Sequence, residues 1–454
     1  MTMVWTPRCP SMLAQPCFTV SELSLLPQRT PLLPQTYTSI SRCAASRTRI
    51  TALSRNRLSK ESSSAPTTHE QPLSPPDLDT RSPLERFRTK PKKPLSVTDL
   101  VSPAWCELQY SFVLTRFGRK PRTQAMKQGS KVHKVLEEQV HTFVPVQTAS
   151  KEDRFGLRIW NVIQGLRTLR ETGMTRELEI WGVLEGQLVC GVIDEVSYKC
   201  PDTRFEEELV KTAAEKTGEM ASQSQRNIAN YFAPVDTAAV PGTQATRPVY
   251  IADVKTRGVK SLPSGASLRP TKMQLMLYKK MLQSLAQNDV DADVVFARYS
   301  LNPLQPFTIT EVAGMDSSQA DETDFPSETP GFVADMETHT NLSALWSLMI
   351  SEFAETFTGV SDVLRAEFRH SKDGDVIGSE LFVYEKGTIE EYIAREMGWW
   401  KGERPAVGVE VEEAFKCRSC DFADECEWRK SKIQEATENH RRRVAGRGKV
   451  EVVG

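Results

Sequence analysis

Four cysteines constrain this chain more than any other feature. Cys417, Cys420 and Cys426 form a C-x2-C-x5-C cluster, and Cys106 stands far upstream of them. Three thiolates in one short loop hold zinc or an iron–sulfur cluster, and a fourth drawn from a distant segment ties two remote parts of the chain together. Disulfides are the alternative reading, and a reducing compartment removes it.

The charge distribution points to such a compartment. Residues 1–60 carry eight Lys or Arg and one acid, Glu22, which leaves 50 basic against 58 acidic residues in the rest of the 454-residue chain. Arg8, Arg29, Arg42, Arg47, Arg49, Arg55 and Arg57 are set among many Ser and Thr. This pattern matches a transit peptide, with an ordinary disordered basic tail as the alternative. The apolar stretches are short and broken by proline, which does not suit a secretory signal. A mitochondrial matrix address is expected, a nuclear pool staying open, and Cys9, Cys17 and Cys43 would leave with the segment. No stretch approaches the roughly 20 consecutive apolar residues of a membrane-spanning helix, so no membrane span is expected.

Residues 61–94, rich in Ser, Pro, Thr and charge, have too few large apolar side chains to fold and read as a linker. A folded domain over 95–432 follows, with a polar insertion at 203–246 and a basic tail at 433–454. Between Leu108 and Leu136 there is no acid, while Arg116, Arg119, Lys120, Arg122, Lys127, Lys131 and Lys134 supply seven positive charges. Helical spacing runs over residues 129–140, placing His133 and Glu137 one turn apart, and again over 155–169, 271–285 and 342–357. Strands are expected at 177–182 and 187–198, joined at Glu185-Gly186, and at 249–256 and 293–300. Residues 313–331 are acidic and loop-like.

Charged residues close two of these apolar strands, which is costly unless the charge is used or solvated. Asp194 ends one; Asp253, Val254 and Lys255 end the other, with Asp253 and Lys255 on the same side. Two converging carboxylates suit a hard divalent cation such as Mg2+, with Mn2+ as a substitute, and a lysine beside them can position water and offset phosphate charge. His133 could complete the metal shell. Taken singly, each has a plainer reading as a strand-end acid or a helix-surface histidine.

In order, Gly129-x3-His133, Gly191-x2-Asp194, Asp253-Val254-Lys255 and Gln274-x3-Tyr278, framed by Cys106 and by Cys417, Cys420 and Cys426, resemble the motif series of the exonuclease V family. These are RecB-type nucleases of the PD-(D/E)XK superfamily. The stretch from Gly398-Trp399-Trp400 to Cys426-Glu427-Trp428 is similar to that family too, and the likeness covers about residues 95 to 432. It implies an α/β, restriction-endonuclease-like fold: a mixed central sheet flanked by helices, its ends clasped by a [4Fe-4S] cluster on the four cysteines. Spacing alone leaves zinc open. By the same resemblance His133, Asp194, Asp253 and the Val254 carbonyl hold metal, Lys255 orients water, and Gln274 and Tyr278 position the water or the strand. Many relatives have Glu where this chain has Asp253, and the shorter acid shifts the metal geometry.

The activity so implied is Mg2+-dependent hydrolysis of single-stranded DNA from an end, in mitochondrial genome maintenance and DNA repair. The protein would be a monomer, with a single-strand-binding protein as a further partner. The rivals are a RecB-like nuclease acting on RNA or branched DNA, and a non-catalytic metal-cluster module that binds nucleic acid. Trp105, Tyr110 and Phe117 interleave the basic stretch and could stack on bases, core packing being the alternative. Glu195 points to the opposite face of its strand from Asp194 and is the weaker candidate.

Overall fold

The folded region opens at Ser82, not Leu95. A computed structural model describes residues 2–7, 79–146, 148–221, 247–308 and 330–450. Helix α1 (Pro83–Phe87) is closed by a capping box: the Ser82 hydroxyl accepts from Glu85 N and the Glu85 carboxylate accepts from Ser82 N at 2.7 Å. Arg88 then pairs with the buried Asp99 and lies 5.6 Å over the Trp400 ring. The end of the expected linker therefore belongs to the fold, held by caps, charge pairs and the partly buried Leu84 and Phe87, too few apolar residues to stand out in the sequence.

The expected transit peptide and linker otherwise lie mostly outside the described residues. Its first strand is an exception, since β1 (Thr2–Pro7) pairs antiparallel with β3 (His141–Val146). The remaining strands are β2 (Leu95–Ser96), β4 (Met174–Leu184), β5 (Gln187–Ser197), β6 (Arg247–Arg257), β7 (Phe357–His370) and β8 (Val376–Val383), and they form one mixed sheet. β4 pairs with β5 antiparallel, β5 with β6 antiparallel, β6 with β7 parallel and β7 with β8 antiparallel. β2 adds a short parallel pair to β5 through Leu95 and Ser96.

Helices flank this sheet: α2 (Val97–Val101), α3 (Glu107–Phe117), α4 (Gln124–Glu137), α5 (Lys151–Thr172), α6 (Thr203–Ala221), α7 (Arg269–Ala286), α8 (Ala292–Tyr299), α9 (Pro330–Thr338), α10 (Leu342–Thr356), α11 (Lys386–Trp400) and α12 (Glu427–Val450). The core lies where α5, α7 and α10 meet the strands. Leu157, Ile163, Leu166, Leu277, Met281 and Leu345 are fully buried there, and Trp181 packs between Phe155 and Trp346 at centroid distances of 5.6 and 5.8 Å.

Three expectations change. Residues 293–300 are helical in α8, not a strand: the Asp291 side chain accepts from Asp293 N and caps the first turn, and Val295 and Phe296 bury one face. That β-branched and aromatic run imitates a strand, and the cap overrides it. The insertion at 203–246 begins with a helix, α6; residues 222–246 lie outside the described residues, as do 309–329. The segment taken as a basic tail is helical in α12 through Val450.

Candidate active site

The chemistry-bearing residues gather where strand pairing lapses. The Glu185–Gly186 turn has positive φ at both residues, 49° and 76°, as a two-residue hairpin requires, and it fixes the β4–β5 register. Arg176 then pairs with Glu195 and Leu178 with Ile193, which leaves Glu177 opposite Asp194 with no ladder pair between them. Glu177 has φ of 53°, a left-handed conformation uncommon for a residue with a side chain. On the other edge, β5 pairs with β6 only over Glu195–Ser197 and Tyr250–Ala252. The two strands part where Asp194 and Asp253 would come opposite each other.

Hydrogen bonds knit the gap. Asp194 Oδ2 accepts from Val254 N at 2.7 Å, taking a donor that the β5–β6 ladder leaves free. His133, carried on α4, has Nδ1 3.0 Å from Glu177 Oε1 and 3.6 Å from Asp194 Oδ1, and Nε2 3.1 Å from the Val254 carbonyl. Lys255 Nζ lies 3.0 and 2.8 Å from the two Asp253 oxygens and donates to Gln274 Oε1 at 2.8 Å. Gln274 Nε2 in turn donates to Tyr278 Oη at 2.9 Å. The residues singled out from the sequence thus fall into two bonded sets, His133, Asp194 and Val254 in one and Asp253, Lys255, Gln274 and Tyr278 in the other, joined through the β6 backbone at Asp253–Lys255.

The two motif glycines permit this closeness. A Cβ on Gly129 would stand 2.9 Å from Thr256 Oγ1, so its absence lets α4 lie against β6 just past Lys255. A Cβ on Gly191 would meet both the Tyr278 ring and Val97 at 2.9 Å. A side chain at either position would force these neighbours to shift.

Burial sets the electrostatics. It pushes the Asp194 carboxyl up, partly offset by Lys255 and His133. For Asp253, fully buried, burial outweighs the Lys255 ammonium and, with Asp194 repelling, raises the carboxyl to about 7. Burial opposes the charge on His133, but the Glu177 hydrogen bond and Asp194 prevail and lift it to about 9. The geometry agrees, because both ring nitrogens face acceptors and only an imidazolium can donate to both. Lys255 is raised too, burial being outweighed by Asp253 and Asp194. Beside this network opens a cavity of about 980 Å3, walled by Arg122, Ser130, His133, Glu137, Glu177 and Lys255.

The donor set fits a hard divalent cation. Among the described residues, His133, Glu177 and Asp194 bring one ligand atom each within 4.8 Å of one another. Asp253 Oδ2 is buried and accepts no hydrogen bond of normal geometry, although the Lys255 ammonium is near it. Carboxylate and carbonyl oxygens with one imidazole suit Mg2+ or Mn2+.

Glu177 is a candidate metal ligand that sequence reading missed. Counting outward from the Glu185–Gly186 turn would have placed it opposite Asp194. Glu195 is structural, as expected of the weaker candidate: it is buried between Arg176 at 2.7 Å and Arg365 at 2.9 Å. Of the three aromatics considered for stacking, Tyr110 is buried edge-on to Trp399 and Trp400, and Trp105 lies under the Lys416 ammonium. Phe117 alone is exposed, at 52%, where α3 gives way to Gly118 and the basic loop.

Cys106, Cys417, Cys420 and Cys426 are brought together and line one pocket with Trp105, Phe112, Gly408 and Trp428. All four are free thiols. Burial, and then the neighbouring cysteines, push the Cys106 and Cys417 thiols up. Four thiols gathered in one pocket are a donor set for a zinc ion or for an iron–sulfur cluster. Cys190 and Cys200 are half-buried and stand apart from this pocket.

Side chains reinforce the junction. The buried Glu107 accepts two bonds of 2.7 Å from Arg404 and one of 2.7 Å from Val407 N. Lys416 Nζ donates to the Trp105 carbonyl at 2.9 Å, and Arg116 donates to Glu425 at 2.7 and 2.8 Å.

Comparison with known proteins gives a consistent result. Residues 82–429 match the family model described as exonuclease V, a 5' deoxyribonuclease. The chain is 26% identical over 363 residues to exonuclease V of Danio rerio, covering 78% of this chain and 74% of that one. It is 23% identical over 430 residues to the mitochondrial exonuclease V of Candida glabrata, covering 76% and 81%, and 22% identical over 472 residues to that of Debaryomyces hansenii, covering 73% and 74%.

Proposed function

Because the chain belongs to the exonuclease V family and so is a nuclease that hydrolyses DNA phosphodiester bonds, we propose that it acts on single-stranded DNA with Mg2+ or Mn2+ and carries a [4Fe-4S] cluster. The observation that carries this reading is the parting of β5 and β6 at Asp194 and Asp253, with Lys255 beside the second acid.

His133, after losing the proton on its ligating nitrogen, with Glu177, Asp194, Asp253 and the Val254 carbonyl, would hold the divalent cation. Bound there, it supplies Lewis-acid polarisation of phosphoryl oxygens and a more acidic water. The chain's own residues do the rest. Lys255, fixed by Asp253 and Gln274, presents an ammonium to the phosphate or the incoming water. Tyr278 holds Gln274, which orients Lys255 in turn. Arg122 in the cavity wall, with Arg119 and Lys120 preceding it, offers charge to the backbone, and salt-sensitive binding follows. Exposed Phe117 beside these cations supports a single strand, whose unpaired bases can stack on it.

The [4Fe-4S] cluster would sit on the four cysteines in a structural role, since the cleft accounts for hydrolysis without redox chemistry. The basic 1–60 segment and the mitochondrial names of the fungal relatives support action in the matrix, in genome maintenance and repair. Among the described residues no helix is long and apolar enough to cross a membrane.

The test is an assay of end-labelled single-stranded DNA, duplex DNA and RNA with Mg2+. Only the single DNA strand should shorten from an end, and Asp253→Asn should abolish cleavage while binding survives. Equal cutting of RNA or duplex overturns the specificity. Protein purified without oxygen should be brown, with roughly four irons and four sulfides per chain. A colourless, zinc-loaded protein sinks the cluster and leaves the nuclease standing.

A further inference from the structure

Beyond its first turn, helix α12 packs on nothing among the described residues that closes the fold. It leaves the cysteine pocket immediately after Cys426 and runs for 24 residues, about 36 Å. Only its root is fixed: the Trp428 ring fills the space where a Cβ on Gly408 would stand, and Arg429 donates to the Ala423 carbonyl at 3.1 Å. From Ile433 to Val444 every residue is exposed. The match to the family ends at residue 429, so nearly the whole helix lies outside it.

A helix left in water usually keeps an apolar stripe for a partner or balances its charges internally. The first half of α12 does the second. Lys430 pairs with Glu427 at 2.9 Å, Lys432 with Glu435 at 2.9 Å, and Gln434 donates to Glu438 at 3.0 Å. The second half does neither. After Glu438 there is no acid until Glu451, while Arg441, Arg442 and Arg443 are followed by Arg447 and Lys449. Among the described residues the three consecutive arginines enter no ion pair, and all are exposed. Successive residues turn by about 100°, so three in a row fan over some 200° of the surface and offer no single face to a partner helix. Ile433 and Val444 are too far apart to form an apolar seam. Cations near a helix C-terminus gain a little from the backbone dipole, a reason for one or two of them but not for a run of three.

The geometry points to an auxiliary DNA-binding arm: the C-terminal half of α12 holds the phosphate backbone of a strand whose end is engaged in the cleft. Charge complementarity favours the polyanion this nuclease already hydrolyses over any apolar partner. The inference rests on the DNA-cleaving activity and not on the single-strand or cluster proposals. It assigns to the arm the hold on long substrates, and to the cleft the chemistry.

The experiment uses the full chain and the variant R441Q/R442Q/R443Q, glutamine keeping helix propensity. Affinity is measured by anisotropy in EDTA over a salt series, with a labelled strand too short to leave the cleft and another several times longer. Each phosphate neutralised on a single strand contributes about 0.7 to the slope of log affinity against log salt, so the variant should lose about 2 from the slope on the long strand. On the short strand the two proteins should agree, and at saturating DNA their kcat should be equal. Unchanged slope on the long strand, equal loss on both strands, or a loss seen only on anionic lipid vesicles would each overturn the arm. Failure of the unaltered protein to cut any DNA would sink the nuclease reading separately, because the binding slopes are read without cleavage.

Discussion

In the cleft, Asp194 and Asp253 stand on adjacent strands with burial pushing both carboxyls up, whereas beside the cysteine pocket an equally buried Glu107 meets Arg404 through two bonds of 2.7 Å. The acids differ in what surrounds them. Glu107 also accepts Val407 N, so its charge is fully answered by the protein. Asp253 keeps a buried oxygen without a proper hydrogen bond, and Glu177, which meets His133, stands in a left-handed conformation. Poorly answered buried charge destabilises a fold and persists where function needs it. The carboxylates of the cleft are thus less fully answered than Glu107, as the proposed metal site would require.

The largest effect should come from breaking the clasp at its centre. Cys417→Ala should abolish iron and sulfide content, lower stability by several kcal/mol and take nuclease activity down with the folded fraction, as checked by metal analysis and a melting curve on the same sample. Full activity in a cluster-free, fully folded protein would show the two regions to be independent. The cleft should behave in the opposite manner. Asp194→Asn keeps an oxygen for Val254 N and removes an ill-solvated charge, so kcat should fall about 10^3-fold or more while the melting midpoint holds or rises. A midpoint several degrees lower would mean that Asp194 supports the fold instead.

How much of this was legible in the sequence divides along the same line. Among the candidate residues, Asp194, Asp253 and Lys255 were visible because a charged residue closing an apolar run is conspicuous, His133, Gln274 and Tyr278 through their place in the motif series, and the cysteines because their spacing is. Glu177 was not, since its relation to Asp194 exists only through the register of the β4–β5 hairpin. Strands β7 and β8 and helix α11 were passed over. β7 does carry a period-2 signal: Leu364, Ala366 and Phe368 are buried, and Arg365, Glu367 and Arg369 between them form ion pairs with one another and with Glu195. Helix α1 escaped for a different reason, its place being set largely by Ser82, Glu85 and Arg88. Polar pairs of this kind are specified by tertiary partners far away in sequence, which a local pattern cannot supply.

Within the clasp, the two ion pairs test how far burial governs the outcome. Glu107→Gln leaves Arg404 facing a neutral amide in a buried site, and breaking one side of such a pair should cost about 3 kcal/mol in denaturant unfolding, with kcat per folded molecule unchanged. A loss below about 1 kcal/mol would mean that water already reaches the site.

Arg116→Ala should have the smallest effect, although its geometry is as good. Arg116 and Glu425 meet at 2.7 and 2.8 Å, but their side chains are 46% and 56% exposed, so both ions keep much of their hydration and the attraction is screened. What the guanidinium adds beyond charge is its position 4.9 Å over the Phe422 ring, which in turn stacks on Phe112 at 5.4 Å. The loss should stay under about 1 kcal/mol and persist at high salt, because the stacking part is not screened. Arg116→Lys, which keeps the charge and gives up the planar stack, separates the two contributions. If it restores the full loss at low salt, the ion pair carries the effect; if it restores little, the aromatic contact does.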